Sequence, residues 1–430
     1  MPTSTLDRPS QTGRLLPGGP PPHGGWTGLA AHRGRYARPP QPGRRPDEGL
    51  IDLVERSGLG GRGGAGYPTG RKLRAVAAGR GPRVVVVNGA EGEPASGKDR
   101  YLLRQAPHLV LDGALWAAAA VGASRVVVCV DRADADALAA VRRALAERGA
   151  EPTGVDVQLA ASPSRYVAGE SSSLVQWLGG GPAMPTAEHA HERGVAGRPT
   201  LVQNVETLAH LAQVACHGAD WFRSVGTAEE PGTTLVTVSG AVARPSVVEV
   251  AFGTSLADIV AGAGGTTTPI RALLVGGYFG AWLPARSGGA APYSRAGLLP
   301  FGASPGAGVV IALPAGACGL AETARVLAWF AGESARQCGP CAFGLPSLAG
   351  ASAALARGQA TNADVAQLRR WATEIDGRGA CRHPDGAVAL LRSALTVFAS
   401  DVDRHAEGDP CPGAAGPGVL PVPTPQEGWR

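Results

Sequence analysis

Lysine is scarce in this chain: Lys72 and Lys98 are its only lysines among 40 lysine and arginine residues in a length of 430. An ammonium is a compact point charge on a flexible stem, whereas a guanidinium is a broad planar fork. Ammonium groups kept at two positions of an arginine-rich chain favour a phosphate or carboxylate site at each. The alternative is that both lysines survive by chance in an arginine-biased composition.

Other absences exclude whole classes of protein. No stretch approaches the roughly 18 consecutive apolar residues of a membrane-spanning helix, and the N-terminus lacks the apolar core of a secretory signal. The net charge is +5, but no long basic run is interleaved with aromatic residues, so nucleic-acid binding has no support. We therefore expect a cytoplasmic protein without direct membrane insertion.

The chain divides into five segments by composition. Residues 1–46 and 408–430 are rich in proline and glycine and are expected to be disordered tails. Residues 47–217 alternate strand-like and helix-like runs, which predicts a mostly parallel sheet with helices on its faces. Residues 232–315 predict a small α+β module, and residues 319–407 predict a bundle of four amphipathic helices.

Within residues 47–217 and 319–407, individual elements are predicted from apolar periodicity. The predicted strands are 83–87, 125–130 and 155–159; the predicted helices are 50–56, 102–121, 133–148, 170–178, 204–216, 320–330, 345–357, 365–375 and 387–402.

A glycine-rich segment, GLGGRGGAGYPTGRK at residues 58–72, precedes the first predicted strand. Glycine is unfavourable inside helices and strands but lets backbone approach a ligand closely, and successive N–H groups can form an anion nest. Gly61, Gly63 and Gly66 match the dinucleotide pattern GxGxxG, but that pattern requires a strand before the loop rather than after it. A flexible linker is the alternative, although Tyr67 and Lys72 are unusual in linkers.

Polar residues follow the strand 83–87. Asn88, Glu91 and Glu93 come just past its carboxyl end, where open α/β sheets place ligand contacts. An asparagine amide offers a donor and an acceptor to a heterocycle, and carboxylates can accept from sugar hydroxyls. A surface acidic turn is the alternative.

Three of the seven cysteines fall in one C-terminal region. Cys338 and Cys341 form a CxxC pair at the start of one predicted helix, and Cys381 comes before the last one. Thiolates on adjacent helix ends can converge on one iron–sulfur cluster. Zinc binding and thiol redox exchange are the alternatives. Cys129 and Cys216 are expected to be buried apolar residues.

At these residues the chain resembles the NADH-binding flavoprotein subunit of respiratory complex I (the F subunit of NADH:quinone oxidoreductase) and its relatives in NAD-linked hydrogenases and formate dehydrogenases. The similar segments cover about residues 47–405 in the family's order: GRGGAGYPTGRK (61–72), VNGAEGEPASGKDR (87–100), YVAGESSSL (166–174), NVETL (204–208) and ESARQCGPC (333–341).

The resemblance implies a Rossmann-like α/β domain for FMN and NADH over residues 47–217. It implies a β-grasp module of the SLBB type over 232–315 and a helical [4Fe–4S] domain over 319–407. Electrons would pass from NADH through FMN to the cluster, and partner redox subunits would accept them at the periphery of a membrane complex. The expected catalytic residues are Glu93 and Glu170, the metal ligands are Cys338, Cys341 and Cys381, and the cofactor-binding residues are Gly61, Arg62, Gly63, Gly64, Lys72, Asn88, Glu91, Glu93 and Asn204.

The chain departs from the family at the cluster motif. Ala335 replaces the first of the three cysteines in the family's ESCGxCxPC segment, so three thiolates remain, those of Cys338, Cys341 and Cys381. A [3Fe–4S] centre, a fourth ligand such as His383 or water, and loss of the cluster all remain open.

The chain also departs from the family on the nicotinamide side. Ser171 replaces a glutamate, Ala90 replaces an acidic residue, and Leu73 and Val76 replace aromatic residues. A longer loop of the family is shortened here to GGGPAMP (179–185). Each lost aromatic contact weakens NADH binding by about 0.5–1.5 kcal/mol. NADPH or a ferredoxin therefore stays open as the redox partner. The alternatives to NADH oxidation are a ferredoxin-linked flavoprotein and a non-catalytic assembly module.

Overall fold

The computed structural model describes residues 13–16, 28–43, 45–149, 151, 153–424 and 428–430. The first unit is an α/β domain whose four strands are all parallel, in the order β3-β2-β1-β4. The strands are β1 (Arg83–Gly89), β2 (Ala123–Asp131), β3 (Asp156–Ser162) and β4 (Thr200–Asn204). The helices are α1 (Leu29–Arg33), α2 (Glu48–Ser57), α3 (Thr69–Ala77), α4 (Lys98–Gln105), α5 (Pro107–Val121), α6 (Ala135–Glu147), α7 (Ser171–Leu178), α8 (Val205–His217) and α9 (Ala219–Arg223).

The parallel sheet predicted for this unit is confirmed. Residues 84–87 of β1 are buried, as expected for a strand covered by helices on both faces. Strand β4 was not predicted, because a run of five residues carries little periodicity. It pairs with β1 so that Asn88 lies directly beside Asn204 at the carboxyl ends of the two strands.

Two helices replace the single one predicted over 102–121. Helix α4 ends before Pro107, which begins α5 at the position where its missing N–H is tolerated. Helix α5 then packs closely on α8 at Gly113, where a Cβ atom would lie 1.9 Å from the carbonyl oxygen of Leu208. A glycine here lets the two helix backbones approach and brings the start of α8 under the carboxyl ends of β1 and β4.

The second unit confirms the predicted α+β module. Its mixed sheet has the order β6-β5-β9-β7-β8, with β5 and β9 parallel. The elements are β5 (Thr233–Gly240), β6 (Ser246–Ala251), α10 (Leu256–Gly262), β7 (Ile270–Val275), β8 (Ala281–Pro284), α11 (Ala285–Gly288), α12 (Arg295–Leu298) and β9 (Val309–Pro314).

The third unit is helical and shares a hydrophobic core with the second. Its helices are α13 (Gly319–Glu333), α14 (Leu345–Ala356), α15 (Asn362–Ile375), α16 (His383–Val397) and α17 (Ala399–Ala406). The last of the four predicted segments is divided at Phe398, where the backbone leaves the helical conformation. Within the described residues, no helix has the length and apolarity needed to cross a membrane.

Within the segments 1–46 and 408–430, which were expected to be disordered tails, some of the described residues pack on the folded units; residues 1–12, 17–27, 44 and 425–427 lie outside the described residues. Leu15 is buried, and its N–H donates to Glu249. Leu420 is also buried, and its N–H donates to Glu322. Proline and glycine remove local helix and strand preference, but an extended segment can still bury apolar side chains on a folded surface and satisfy its N–H groups there.

Candidate functional site

A cavity of about 570 Å³ opens at the carboxyl ends of β1 and β4, where open α/β sheets bind ligands. The second unit contributes Gly276 and Phe279 to its wall, and the third contributes Cys381 and His383. The structure places every predicted cofactor-binding residue and both predicted catalytic glutamates around this cavity: Gly61, Arg62, Gly63, Gly64, Lys72, Asn88, Glu91, Glu93, Glu170 and Asn204.

The glycine segment lies against the start of α8. The N–H of Gly61 donates to the carbonyl of Tyr67 at 2.9 Å, which closes the loop. A Cβ atom on Gly63 would lie 3.3 Å from Cβ of Asn204, so the loop backbone packs tightly on that side. Gly64 has a φ of 102°, which L side chains rarely adopt. The loop therefore presents backbone to the cavity, as the anion-nest prediction requires.

The Arg62 side chain points away from the cavity. Its guanidinium donates to the carbonyls of Pro231 and Thr233 and lies 4.6 Å from the Phe252 ring centroid. Its backbone N–H donates to Thr207 Oγ1. Arg62 thus fastens the glycine segment to the second unit, and any contact of its guanidinium with a ligand would need this arrangement to break.

The ammonium of Lys72 has no close carboxylate partner in the part of the chain that the structure describes. Its ammonium donates to the carbonyl of Val202, and among the described residues no carboxylate lies within 4.0 Å of it. Burial lowers the pKa of Lys72 to about 8, and the more distant Glu170 offsets only part of that shift. An unpaired ammonium in a largely buried cavity wall fits an anionic ligand.

Lys98, the other lysine, is already paired with carboxylates. Its Nζ lies 2.6 Å from Asp99 and 3.0 Å from Glu206, and all three side chains are buried. Burial alone would raise the pKa of Glu206, but the nearby Lys98, His210 and Arg62 side chains together outweigh it and lower that pKa to about 2. The carboxylates that pair with Lys98 therefore belong to the protein itself rather than to a ligand, and they lie at the floor of the cavity.

The two asparagines are partly committed to the backbone. Asn88 donates to the carbonyl of Gly169 at 2.8 Å. Asn204 caps α8 by accepting from the N–H of Glu206, and its amide donates to Asp99. The sequence predicted that Asn88 follows the end of a strand. In the structure, the amides of Asn88 and Asn204 both stabilise the cavity wall and line the cavity.

The three glutamates predicted for the site differ in role. Glu91 accepts from the N–H groups of Asp99 and Arg100 and so caps α4. Glu93 accepts from the N–H of Tyr278 at 2.9 Å, and burial raises its pKa to about 7. Glu170 caps α7 and remains exposed at the cavity wall. Of these three glutamates, Glu93 is the one whose pKa lies near neutral pH.

The structure corrects the expectation about lost aromatic residues on α3. Leu73 and Val76 are fully buried in the core, and neither lines the cavity. Their replacement of aromatic residues therefore removes no stacking surface there. Aromatic walls come instead from Tyr67, Tyr166 and Phe279, which sequence reasoning did not assign. Tyr67 is 55% exposed and offers its ring to a planar ligand.

The predicted metal ligands lie in the third unit beside the cavity. Cys338 and Cys341 are at the turn leading into α14, and Cys381 is two residues before α16. Burial, helped by Cys338 and Cys381 nearby, raises the pKa of Cys341 to about 12.

The spacing of these thiols separates the two metal alternatives. A single zinc ion at about 2.3 Å from each sulfur draws its ligands into a compact group. Among the described residues, these three cysteines do not form a group whose donor atoms all lie within 4.8 Å of one another. The wider spacing favours a polynuclear cluster. Ala335 is half-buried in the loop before Cys338 and offers no ligand atom.

Comparisons with known proteins agree with this geometry. Residues 54–213 match the family described as the Nuo51 FMN-binding domain, residues 235–274 match the SLBB domain, and residues 321–405 match the NADH-ubiquinone oxidoreductase-F iron-sulfur binding region.

Curated relatives match over nearly the whole chain. The F subunit 2 of NADH-quinone oxidoreductase in Rhizobium meliloti (strain 1021) is 30% identical over 90% of this chain and 94% of its own length. The F subunit of NADH-quinone oxidoreductase in Salmonella typhimurium (strain LT2) is 32% identical over 85% and 86%.

A solved structure of NAD+-reducing [NiFe]-hydrogenase in the H2-reduced state superimposes with a TM-score of 0.79 at 30% identity. It matches 83% of this chain, which spans 62% of that hydrogenase chain. The three matched regions, their order and the cavity they enclose place this chain in the family of the F subunit of NADH-quinone oxidoreductase.

Proposed function

We propose that this chain is an electron-transfer flavoprotein subunit that oxidises NADH with FMN held in the 570 Å³ cavity. The observation that carries the proposal is that one cavity joins the glycine loop, the unpaired Lys72 and the cluster ligand Cys381. A flavin there would be adjacent to the iron–sulfur domain. When bound, FMN accepts a hydride and passes on electrons one at a time, and the protein orients it and tunes its electrostatics.

The residues present fit FMN. The backbone of the glycine loop and the Lys72 ammonium supply positive charge for an anionic group. Contacts within the protein hold the loop: Arg62 donates to the carbonyl of Thr233, and the N–H of Gly61 donates to the carbonyl of Tyr67. Glu93, whose pKa is about 7, can hold or release a proton near the flavin space at physiological pH.

For the nicotinamide, the available surface is the ring of Tyr67 and the wall around Glu170. Tyr67 is the exposed aromatic side chain in the cavity wall, and stacking on it contributes about 0.5–1.5 kcal/mol. Glu170 is positioned by its cap on α7, where its carboxylate accepts from the N–H groups of Ser172 and Ser173. These two residues are the proposed determinants of NADH binding.

We place the iron–sulfur cluster on Cys338, Cys341 and Cys381. Three thiolates with alanine at position 335 fit a [3Fe–4S] centre. Phe343 is 76% exposed two residues beyond Cys341, so an electron acceptor that docks there would lie near the cluster ligands. We propose a partner redox subunit as that acceptor, in the peripheral part of a larger complex.

Protein purified without air tests the flavin assignment. We expect a yellow protein whose flavin absorbance is bleached by NADH, with NADPH as the comparison for coenzyme choice. A colourless protein that takes up no added FMN would favour a non-catalytic assembly module instead. Bleaching by reduced ferredoxin but not by NADH would favour the ferredoxin-linked alternative.

Electron paramagnetic resonance tests the cluster assignment. We expect a signal in the oxidised protein, as three-iron clusters give. In Ala335→Cys, which supplies a fourth thiolate, that signal should disappear and one should appear on reduction. A spectrum empty in both states for the wild-type chain would show that no such cluster is built.

A further inference from the structure

A second group of metal-ligand side chains lies in the third unit, separate from the cluster cysteines. Cys318, His405 and Cys411 are all buried, and their donor atoms lie within 4.8 Å of one another. Cys318 caps the start of α13, His405 is on α17, and Cys411 follows α17 in the C-terminal segment. Among the described residues this is the one group of three or more such donors that is this compact.

The imidazole of His405 is oriented as in a metal site. Its Nδ1 donates to the carbonyl of Leu355 at 3.1 Å, which fixes the tautomer and leaves Nε2 as the acceptor atom on the side of Cys318 and Cys411. Sγ of Cys318 lies 3.9 Å from Nε2. Zinc bond lengths of about 2.3 Å to sulfur and 2.0 Å to nitrogen put tetrahedral ligands about 3.6 Å apart. Zinc could bind with small side-chain movements.

We propose that Cys318, His405 and Cys411 bind one Zn²⁺ ion. Two thiolates and a neutral imidazole balance the charge of a divalent cation, and a neutral assembly is what a buried position requires. A Cu⁺ ion with the same ligands would leave a net negative charge in the core. No fourth Cys, His, Asp or Glu of the described chain joins the group, so a small ligand such as water completes the coordination.

Metal binding would change one contact of the site. The N–H of Cys411 donates to Nε2 of His405 at 2.9 Å, and zinc would take the place of that hydrogen bond.

The site would tie the C-terminal segment to the helical unit. Gly413 packs so closely on the 316–318 loop that a Cβ atom would lie 2.2 Å from the carbonyl oxygen of Gly316. Further along, Glu322 of α13 accepts from Leu420, and the hydroxyl of Tyr278 in the second unit donates to Pro421. Zinc bound at Cys411 would therefore help to hold the C-terminal segment against the second and third units.

Elemental analysis of the full-length protein, purified anaerobically without chelator, tests the site. We expect about one zinc per chain in the wild type, lost at least tenfold in Cys318→Ser and Cys411→Ser. Cys216→Ser, at a half-buried cysteine outside the group, is the matched control and should keep its zinc. Iron content should be unchanged in Cys411→Ser, which separates this site from the cluster.

Cobalt provides a second measurement that does not depend on zinc supply during expression. Metal-depleted protein loaded with Co²⁺ should show thiolate-to-cobalt charge-transfer absorbance in the wild type and in Cys216→Ser, but not in Cys411→Ser. Zinc retained by Cys411→Ser, or a Cys318–Cys411 disulfide detected by mass spectrometry in place of metal, would overturn the proposal. Cys411 lies beyond the last helix, so its variant tests the site even if Cys318→Ser fails to fold.

Discussion

Replacing Lys72 with methionine should weaken FMN binding while stabilising the flavin-free protein. The pKa of Lys72 falls from 10.5 to about 8 through burial. That difference is equivalent to about 3 kcal/mol that the flavin-free chain loses by holding the charge at neutral pH. An anion bound beside the ammonium offsets this cost, and a charge-assisted hydrogen bond contributes about 1.5–3 kcal/mol.

The lowered pKa of Lys72 also sets how stability and FMN binding depend on pH. Between pH 8 and 10.5 the folded, flavin-free chain binds fewer protons at Lys72 than the unfolded chain does, so its stability rises with pH through this window. FMN favours the charged lysine, so above pH 8 binding takes up a proton. The dissociation constant should be nearly constant from pH 7 to 8 and then increase by up to about tenfold per pH unit.

Flavin fluorescence quenching between pH 7 and 9.5 measures both effects. We expect Lys72→Met to raise the dissociation constant at pH 7 by about 10- to 150-fold and to remove the rise above pH 8. Arg71→Met, at an exposed cation on the same helix, is the matched control and should change the constant little. Wild-type affinity in Lys72→Met would refute the assignment of an anionic ligand group to this lysine.

Three further substitutions test other parts of the structure. Lys98→Met leaves the buried Asp99 and Glu206 without their shared ammonium, with Arg62 at 3.9 Å from Glu206 as the remaining cation, and should lower the free energy of unfolding by about 3–5 kcal/mol in urea titrations; a loss below about 1 kcal/mol would contradict the burial of that triad. Tyr67→Ala should raise the Michaelis constant for NADH about two- to tenfold without changing FMN affinity, and an unchanged constant would remove the stacking role. Gly113→Ala should destabilise by more than about 2 kcal/mol because its Cβ would overlap Leu208, whereas Gly350→Ala, with open space around it in α14, should be neutral or stabilising.

The sequence predicted the features whose signals are local. Alternating strand and helix runs predicted the parallel sheet, and the glycine segment and the polar residues after β1 predicted one wall of the cavity. The thiol spacing of Cys338, Cys341 and Cys381 predicted a metal region at the helix ends.

What the sequence could not predict depends on contacts between distant segments. The direction of Arg62 follows from carbonyls of the second unit, about 170 residues away. Phe279 and His383 enter the cavity from two other units. The ordered C-terminal segment is stabilised by Glu322 and Tyr278 rather than by its own proline-rich sequence.

The central claim, that a flavin in this cavity delivers electrons to the neighbouring cluster, is tested most directly by an anaerobic titration with NADH followed by visible absorbance. A flavin accepts two electrons and an iron–sulfur cluster accepts one, so complete reduction should require about 1.5 NADH per chain. An endpoint at about one NADH, with the cluster still oxidised, would contradict electron transfer between the two sites, and no bleaching at all would contradict the flavin site itself.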